Sequence, residues 1–510
     1  MSTPGRPKGE YWSAKHEGTP VSTPFDDVQR IVLRGSAWGA ARHLMLDFSG
    51  RSPLHFLNEL LQAPRLSVVG DPKPGVQISL GFTRRGLEHA FVPDPMLALF
   101  ALRAPAFWAG ATRRAAGSVG LTGPNGPRSW DDSYTDTRLD AVLSLHAQDE
   151  ASLKAVLEKV TQQASDAGFR LQLLPLAAAL PAPDTVEVLE VGSDRPPQWV
   201  HFGLRDSLSR IGIEGWTSDT AMKGCKPASK HKAGEFVLGH EQDSGANPWV
   251  AGPGQSVWPL RVQAFFRNGS FGVLQQIQQF VAAFENYVAS HTTTELGAND
   301  LKGKLCGRYP NGRPLGAPEQ KDCSADFDYS DDVIGQHCPF GSHVRRMNPR
   351  LPPADAKGAE SKVTKPEQDL LAHFSRSRAL LRRGMPYGSQ DAGDERGLLG
   401  QFFCASIEDQ YEHLLCEWAD RVPLGSPDRG GARDPLIGAH EQGDGPFEIP
   451  RAAPKRALPL RGLPPFTQTR GVAYLFYPSR STLTGIADNG LWRLGVDAGE
   501  EQGDGGGDRP

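Results

Sequence analysis

The densest concentration of chemically capable side chains is Cys338-Pro339-Phe340-Gly341-Ser342-His343-Val344-Arg345-Arg346-Met347-Asn348-Pro349-Arg350, an irregular Pro-bounded segment with one imidazole and three guanidinium groups. An imidazole nitrogen suits haem iron, and guanidinium groups pair bidentately with carboxylates such as haem propionates. The ordinary alternative is a loop histidine held by backbone, with surface arginines. A second cluster, His201-Phe202-Gly203-Leu204-Arg205-Asp206-Ser207, sets an acid beside a tight turn. Such an acid either points into a pocket or accepts backbone N–H groups as ordinary turn chemistry. The third, Leu380-Leu381-Arg382-Arg383-Gly384-Met385-Pro386-Tyr387-Gly388, reads as the end of an apolar helix-like run with two cations and a glycine stop.

The elements that must position these groups follow from hydrophobic periodicity. Leu44, Leu46 and Phe48 alternate as in a half-buried strand, Leu54, Leu57 and Leu61 are spaced as on a helix, and Val76, Ile78, Leu80 and Phe82 alternate again. Ala141/Leu143/Leu145, Leu153/Val156/Leu157/Val160 and Leu171/Leu173 repeat strand, helix and strand, giving the βαββαβ order of a ferredoxin-like motif. In the second half, Val262 to Phe266 and Phe271 to Leu274 flank Asn268-Gly269 as a hairpin would, before a helix with Phe280, Ala283 and Phe284. A strand over Leu398 to Phe403 leads into a helix capped by Ser406, with Asp409 at the reciprocal position and Ile407, Gln410, Leu414 and Trp418 on one stripe. Val472, Tyr474 and Phe476 form a late strand. The fold class expected is α+β: two ferredoxin-like halves of antiparallel sheet with peripheral helices, at 26–198 and 199–490, between disordered ends 1–25 and 491–510. Segments 352–368 and 425–446 read as surface insertions.

Composition narrows the function classes. The 510 residues exceed a single core's usual size, and 38 % hydrophobic with 8 % aromatic residues indicates a folded chain. With 55 basic against 59 acidic side chains, no long-range field gathers nucleic acid or anionic lipid. Neither an apolar leader nor a spanning segment is evident, so a cytoplasmic location is expected. The six cysteines are scattered without CxxC pairs or zinc spacing.

Taken together and in this order, the three clusters resemble the dye-decolorizing peroxidase family, especially its longer branch that includes the fungal enzymes. The family's haem-ligand segment, CPF-x-x-H-(I/V)-R-x-x-NPR, and its RRG-(I/M)-PYG segment are matched throughout; its G-x-x-D-G segment is matched by Gly203 to Ser207 except at the last position. Weaker similarity runs from Asp27-Val28-Gln29 and Leu80 to Thr83 through Gly234 to Gly239 to Gly471 to Ser479, nearly the whole ordered chain.

The resemblance implies one b-type haem per chain, held by the C-terminal half, with hydrogen peroxide and an organic reductant as substrates. His343 is the implied iron ligand, ahead of His337 and the thiol of Cys338, and Asp434 its hydrogen-bond partner. Asp434 before Pro435 also reads as a plain turn former. Arg345, Arg346 and Leu398 are the further haem contacts expected. Asp206 is the implied acid/base and Arg382 the cation that stabilises developing negative charge and also contacts haem, whereas Arg383 reads as a structural or propionate contact. An aspartate's ordinary pKa of ~3.9, against ~6.5 for histidine, leads us to expect an acidic optimum. Tyr387 is a candidate electron relay to bulky dyes, or equally a packed ring with a bonded hydroxyl. Two departures stand out: Ser207 occupies the motif's terminal glycine, restricting positive φ beside the acid, and Gly400 stands where a distal aromatic is expected. The readings expected are therefore a dye- or phenol-oxidising haem peroxidase, a haem enzyme oxygenating a specific small molecule, or a non-enzymatic haem-binding protein.

Overall fold

Alternation and helical spacing in the first half produce the expected βαββαβ order. Strand β1 (Ala40–Asp47), helix Leu54–Gln62, β2 (Val76–Phe82), β3 (Ala141–Ala147), helix Glu150–Asp166 and β4 (Arg170–Leu173) follow in turn, then a short β5 (Ala177–Ala178). The computed structural model describes residues 23–34, 38–63, 65–186, 198–208, 211–217, 230–250, 259–316, 327–332, 334–350, 374–389, 393, 395–421, 433–440, 445–452 and 454–488. Helix Glu150–Asp166 starts where the Asp149 carboxylate accepts the Ser152 N–H at 2.7 Å, and it buries Leu153, Val160 and Ala164. The expected disordered ends and the insertion 352–368 lie outside the described residues, apart from 23–25; the insertion 425–446 is described only at 433–440 and 445–446.

After a two-stranded ribbon of β6 (Gln198–Trp199) and β7 (Arg205–Asp206), the second half carries β8 (Ser270–Gln279), β9 (Leu381–Tyr387) and β10 (Gly397–Cys404). A small ribbon of β11 (Phe447–Ile449) and β12 (Leu458–Leu460) precedes the long β13 (Thr467–Tyr477). In the first half the strands lie β4-β1-β3-β2, and in the second β13-β8-β10-β9, all antiparallel. Both are the same 4-1-3-2 arrangement of a ferredoxin-like sheet. Single-residue pairings, Phe476 with Phe82 and Ala177 with Tyr387, join the two sheets along two seams. The strands thereby close into one ring, and the main hydrophobic core draws on both halves. No helix among the described residues is long and apolar enough to cross a membrane.

Three local expectations give way to tertiary context. The segment containing Val262 to Phe266 is helix Leu260–Phe266, not the first strand of a hairpin; Asn268, at φ 62°, turns the chain from that helix into β8. Pairing with β10 draws Leu381–Tyr387 into strand β9, where helix-favouring Leu and Arg had suggested a helix end. The polar positions of β2, expected on a solvated face, are buried because the ring closes over them: Gln77 and Ser79 are both 0 % exposed.

Ring closure also buries two histidines. Burial, reinforced by Arg42, pushes His43 down to about 4; burial, His43 and Arg383 push His146 down to about 3. Unfolding restores an ordinary value of ~6.5, so between pH ~6.5 and ~4 the unfolded chain binds more protons and stability falls with falling pH. The slope is up to about 1.4 kcal/mol per pH unit per histidine. Melting temperatures of wild type and His43→Asn/His146→Gln at pH 7, 5.5 and 4.5 test this, a shallower slope being expected in the variant. Equal slopes would remove the histidines from the account.

Candidate active site

His343 opens a short helix, His343–Met347, directly after the Pro339–Ser342 turn. Its start is fixed from below: the Ser342 hydroxyl donates to the Lys304 carbonyl, and the Lys304 ammonium donates to the carbonyls of Gln336 and His337 at 2.9 and 2.6 Å. His343 Nδ1 lies 2.9 Å from Asp434 Oδ2, across 91 residues of sequence. The other oxygen of the wholly buried Asp434 accepts the N–H groups of Leu436 and Ile437 at 2.9 and 3.1 Å. Asp434 is therefore a turn former and an imidazole partner at once. Burial alone would raise its pKa, but His343, Arg346 and the Leu436 N–H together hold it below the ordinary carboxylate range. An anion can only accept, so Nδ1 carries the proton, and in the neutral ring the lone pair is then on Nε2. Nε2 makes no hydrogen bond to any described residue, and the side chain is 23 % exposed.

The two arginines after His343 are committed inside the protein. Arg345 donates to Asp332 Oδ2 at 2.9 Å and to the Cys338 carbonyl at 2.6 Å, and is sandwiched between the rings of Tyr329 and Phe340, 4.2 Å from each. Arg346, 1 % exposed, donates to the carbonyls of Trp418, Ala419 and Arg421. These contacts favour bracing the His343 turn over pairing with a ligand's carboxylates. Asp332 also accepts the N–H groups of His337 and Cys338 at 2.9 and 2.8 Å, a role that no motif or spacing announced. His337 is exposed, and burial raises the pKa of the fully buried Cys338 thiol, so neither rival offers a prepared ligand.

Asp206 sits on β7, opposite Gln198. The preceding turn, with Gly203 at φ 71°, buries Phe202 and Leu204 in a second apolar cluster with Phe284, Leu301, Leu305 and Leu436. His201 Nε2 meets the Tyr387 carbonyl at 2.9 Å, and the Arg205 N–H donates to the Pro310 carbonyl at 3.0 Å. Helix Ala298–Cys306 and the turn after it thus support both the Asp206 strand and the His343 helix. Asp206 Oδ1 lies 3.9 Å from Arg382 Nη2, the two side chains being 40 % and 47 % exposed. An open pair at this distance adds little stability and leaves both groups available to a ligand. Arg383, by contrast, donates to the carbonyls of Ile31 and Val32 at 2.9 and 2.8 Å, a structural contact.

Ser207 retains the conformation a glycine would take, with φ 60°, and its hydroxyl meets Gln198 Oε1. Serine tolerates this geometry at a cost, whereas a β-branched residue there would be a true outlier. Ser207→Gly is expected to leave the peroxide rate within about twofold, and Ser207→Val to lower it at least about tenfold by shifting Asp206, with unchanged haem content. Equal rates in the two variants would show that Asp206 is not aimed by this turn.

Across β9 and β10 the rows Arg382–Phe402, Gly384–Gly400 and Pro386–Leu398 share one face. Glycine faces glycine in the middle row, and a Cβ placed on Gly400 would stand 2.9 Å from two carbons of the Phe402 ring. An aromatic ring therefore covers Gly400 from two residues along the strand, beside Arg382. Tyr387 is buried, with its hydroxyl 3.1 Å from Glu395 Oε1, which favours the packed-ring reading.

No family model matches the chain. Among curated proteins it is 26 % identical over 328 residues to dye-decolorizing peroxidase msp1 of Mycetinis scorodonius, a match spanning 56 % of each chain. It is 24 % identical over 504 residues to a dye-decolorizing peroxidase of Auricularia auricula-judae, covering 91 % of this chain and 87 % of the relative. The solved DyP-type peroxidase of Anabaena sp. superposes with a TM-score of 0.69 at 18 % identity, over 91 % of this chain and 94 % of that one. The twinned 4-1-3-2 sheets are the fold of the solved dye-decolorizing peroxidases, and the three motifs in order and the breadth of these matches make the chain similar to that family, its longer fungal members included.

Proposed function

We propose that this chain is a haem peroxidase that reduces hydrogen peroxide while oxidising dyes, phenols or similar organic molecules one electron at a time. One b-type haem per chain would be held by the C-terminal half, 199–490, through His343 Nε2, with Leu398 as an apolar contact. The observation that carries this reading is the His343–Asp434 pair, in which a buried anion fixes one ring nitrogen and leaves the other as a prepared ligand. Haem bound there would supply the iron at which peroxide is reduced and would store the oxidising equivalents.

The remaining chemistry belongs to the chain's own groups. Asp206 would take a proton from hydrogen peroxide on a carboxylate oxygen and return it to the departing oxygen, acting as base and then acid. Arg382, always charged, would stabilise negative charge on that oxygen from 3.9 Å beside the carboxylate. Arg345 and Arg346, already engaged, would keep the His343 helix in place. Phe402 over Gly400 supports a walled pocket beside Arg382 and gives the oxygenation of a specific small molecule some standing as a second reading. Turnover of 2,6-dimethoxyphenol and of a thioether with labelled peroxide separates the two. Coupled phenol products without oxygen transfer fit the peroxidase; label in the sulfoxide as the dominant product would favour oxygenation.

A further inference from the structure

The inside of the ring is polar where a sheet interior is ordinarily apolar. His43 on β1, Ser144 and His146 on β3, and Gln77 and Ser79 on β2 adjoin one another through the registers His43–Ser144, Ser79–Ser144 and Gln77–His146, and each is at most 3 % exposed. The second half reaches the same place through Gln401 on β10, whose Nε2 donates to the Ser144 hydroxyl oxygen at 3.0 Å and to the Tyr477 hydroxyl at 3.3 Å. With that donor in place, the single proton of Ser144 goes to His43 Nδ1, 2.8 Å away.

Satisfaction stops there. Both amide atoms of Gln77, the hydroxyl of Ser79, Nδ1 of His146 and Oε1 of Gln401 find no hydrogen-bond partner among the described residues. Turning the Gln77 amide over exchanges one orphan for the other, and turning Gln401, whose two partners are hydroxyls, would only leave its nitrogen unpaired in place of its oxygen. Each unpaired buried polar atom is costly, and native interiors contain few of them. Five on side chains that β2, β3 and β10 bring into the ring interior point to a shared partner.

We propose that the ring interior is a binding site for a cluster of ordered water, on the order of two molecules, held by Gln77, Ser79, His146 and Gln401. The identity of the ligand follows from the lining. Orphan donors and acceptors are mixed within one site, and none of these residues carries a carboxylate that would balance a cation. The neighbouring Arg383 is directed to the carbonyls of Ile31 and Val32, not left to hold an anion. Water offers two donors and two acceptors, which matches so mixed a lining. Its structural effect is to tie β2 and β3 of the first half to β10 of the second, strands that share no ladder.

The test uses the full-length, haem-loaded protein and a Gln77→Met/Ser79→Ala variant that preserves volume while removing orphan atoms. Oxygen-17 magnetic relaxation dispersion counts long-lived internal water in both. The expected result is at least one fewer long-lived water in the variant and a melting temperature lower by about 2–4 °C, with an unchanged Soret band. An unchanged water count with a higher melting temperature would overturn the proposal, since removing orphan polar atoms from a dry interior is stabilising. Should the variant not fold, a high-resolution crystal structure of the wild type decides: solvent density between Gln77 and Gln401 supports the site, and its absence overturns it.

Discussion

Asp206→Ala is expected to keep its haem and to react with hydrogen peroxide about 10²–10⁴-fold more slowly, the usual effect of losing a positioned acid/base. The structural part of the change should be small. Asp206 is 40 % exposed, its pair with Arg382 spans 3.9 Å, and exposed ion pairs contribute little to folding. The β6–β7 pairing and the buried Phe202 and Leu204 hold the strand without the carboxylate. Stopped-flow mixing with peroxide measures the effect, and Asp206→Asn should fall in the same range because an amide cannot carry the proton. A loss below about tenfold in both variants would move the acid/base role to another group.

Asp434→Asn should reduce haem affinity about 10–100-fold, the range found when a partner of a metal-binding histidine is altered, while the chain still folds. The asparagine oxygen can still accept the N–H groups of Leu436 and Ile437, so the turn survives. Its amide N–H₂ then faces His343 Nδ1, which must become the acceptor, and the proton moves to Nε2, the nitrogen proposed to bind iron. Asp434→Ala should in addition destabilise the fold, by about 1–3 kcal/mol for each N–H group left unmet. Haem titration of both variants, with a thermal melt of each, distinguishes tautomer from turn. Wild-type haem affinity in Asp434→Asn would show that the pair does not set the ligand.

Much of this was legible in the sequence, and the limits have physical causes. Period-2 and period-3.6 spacing in the first half marked the βαββαβ elements because the apolar side chains repeat with each element's own period, although the pairings of β1 and β2 with β3 join segments far apart in sequence. Leu260–Phe266 and Leu381–Tyr387 were misassigned because intrinsic preference loses to partners: Phe and Val pack well in either element, and β9 is a strand because β10 pairs with it. Alternation also misled at Gln77 and Ser79, since a period of two shows two faces but not whether a closed ring covers the polar one. At the candidate site, the motifs single out His343, Asp206 and Arg382. The approach of His343 to Asp434 over 91 residues came from resemblance alone, and the bracing of Arg345 by Asp332 left no signal at all. The buried His43 and His146 add a conflict that was not visible beforehand: an acidic optimum implied by an aspartate acid/base lies in the range where these histidines weaken the fold.

The most direct test is the visible spectrum of the purified chain after haem supplementation, before and after one equivalent of hydrogen peroxide at pH 5, for wild type and His343→Ala. The expected result is a Soret band in the wild type that shifts within the mixing time, and loss of that band in His343→Ala although the variant stays folded. An equally strong Soret band in His343→Ala, or no haem uptake by the wild type, would contradict it.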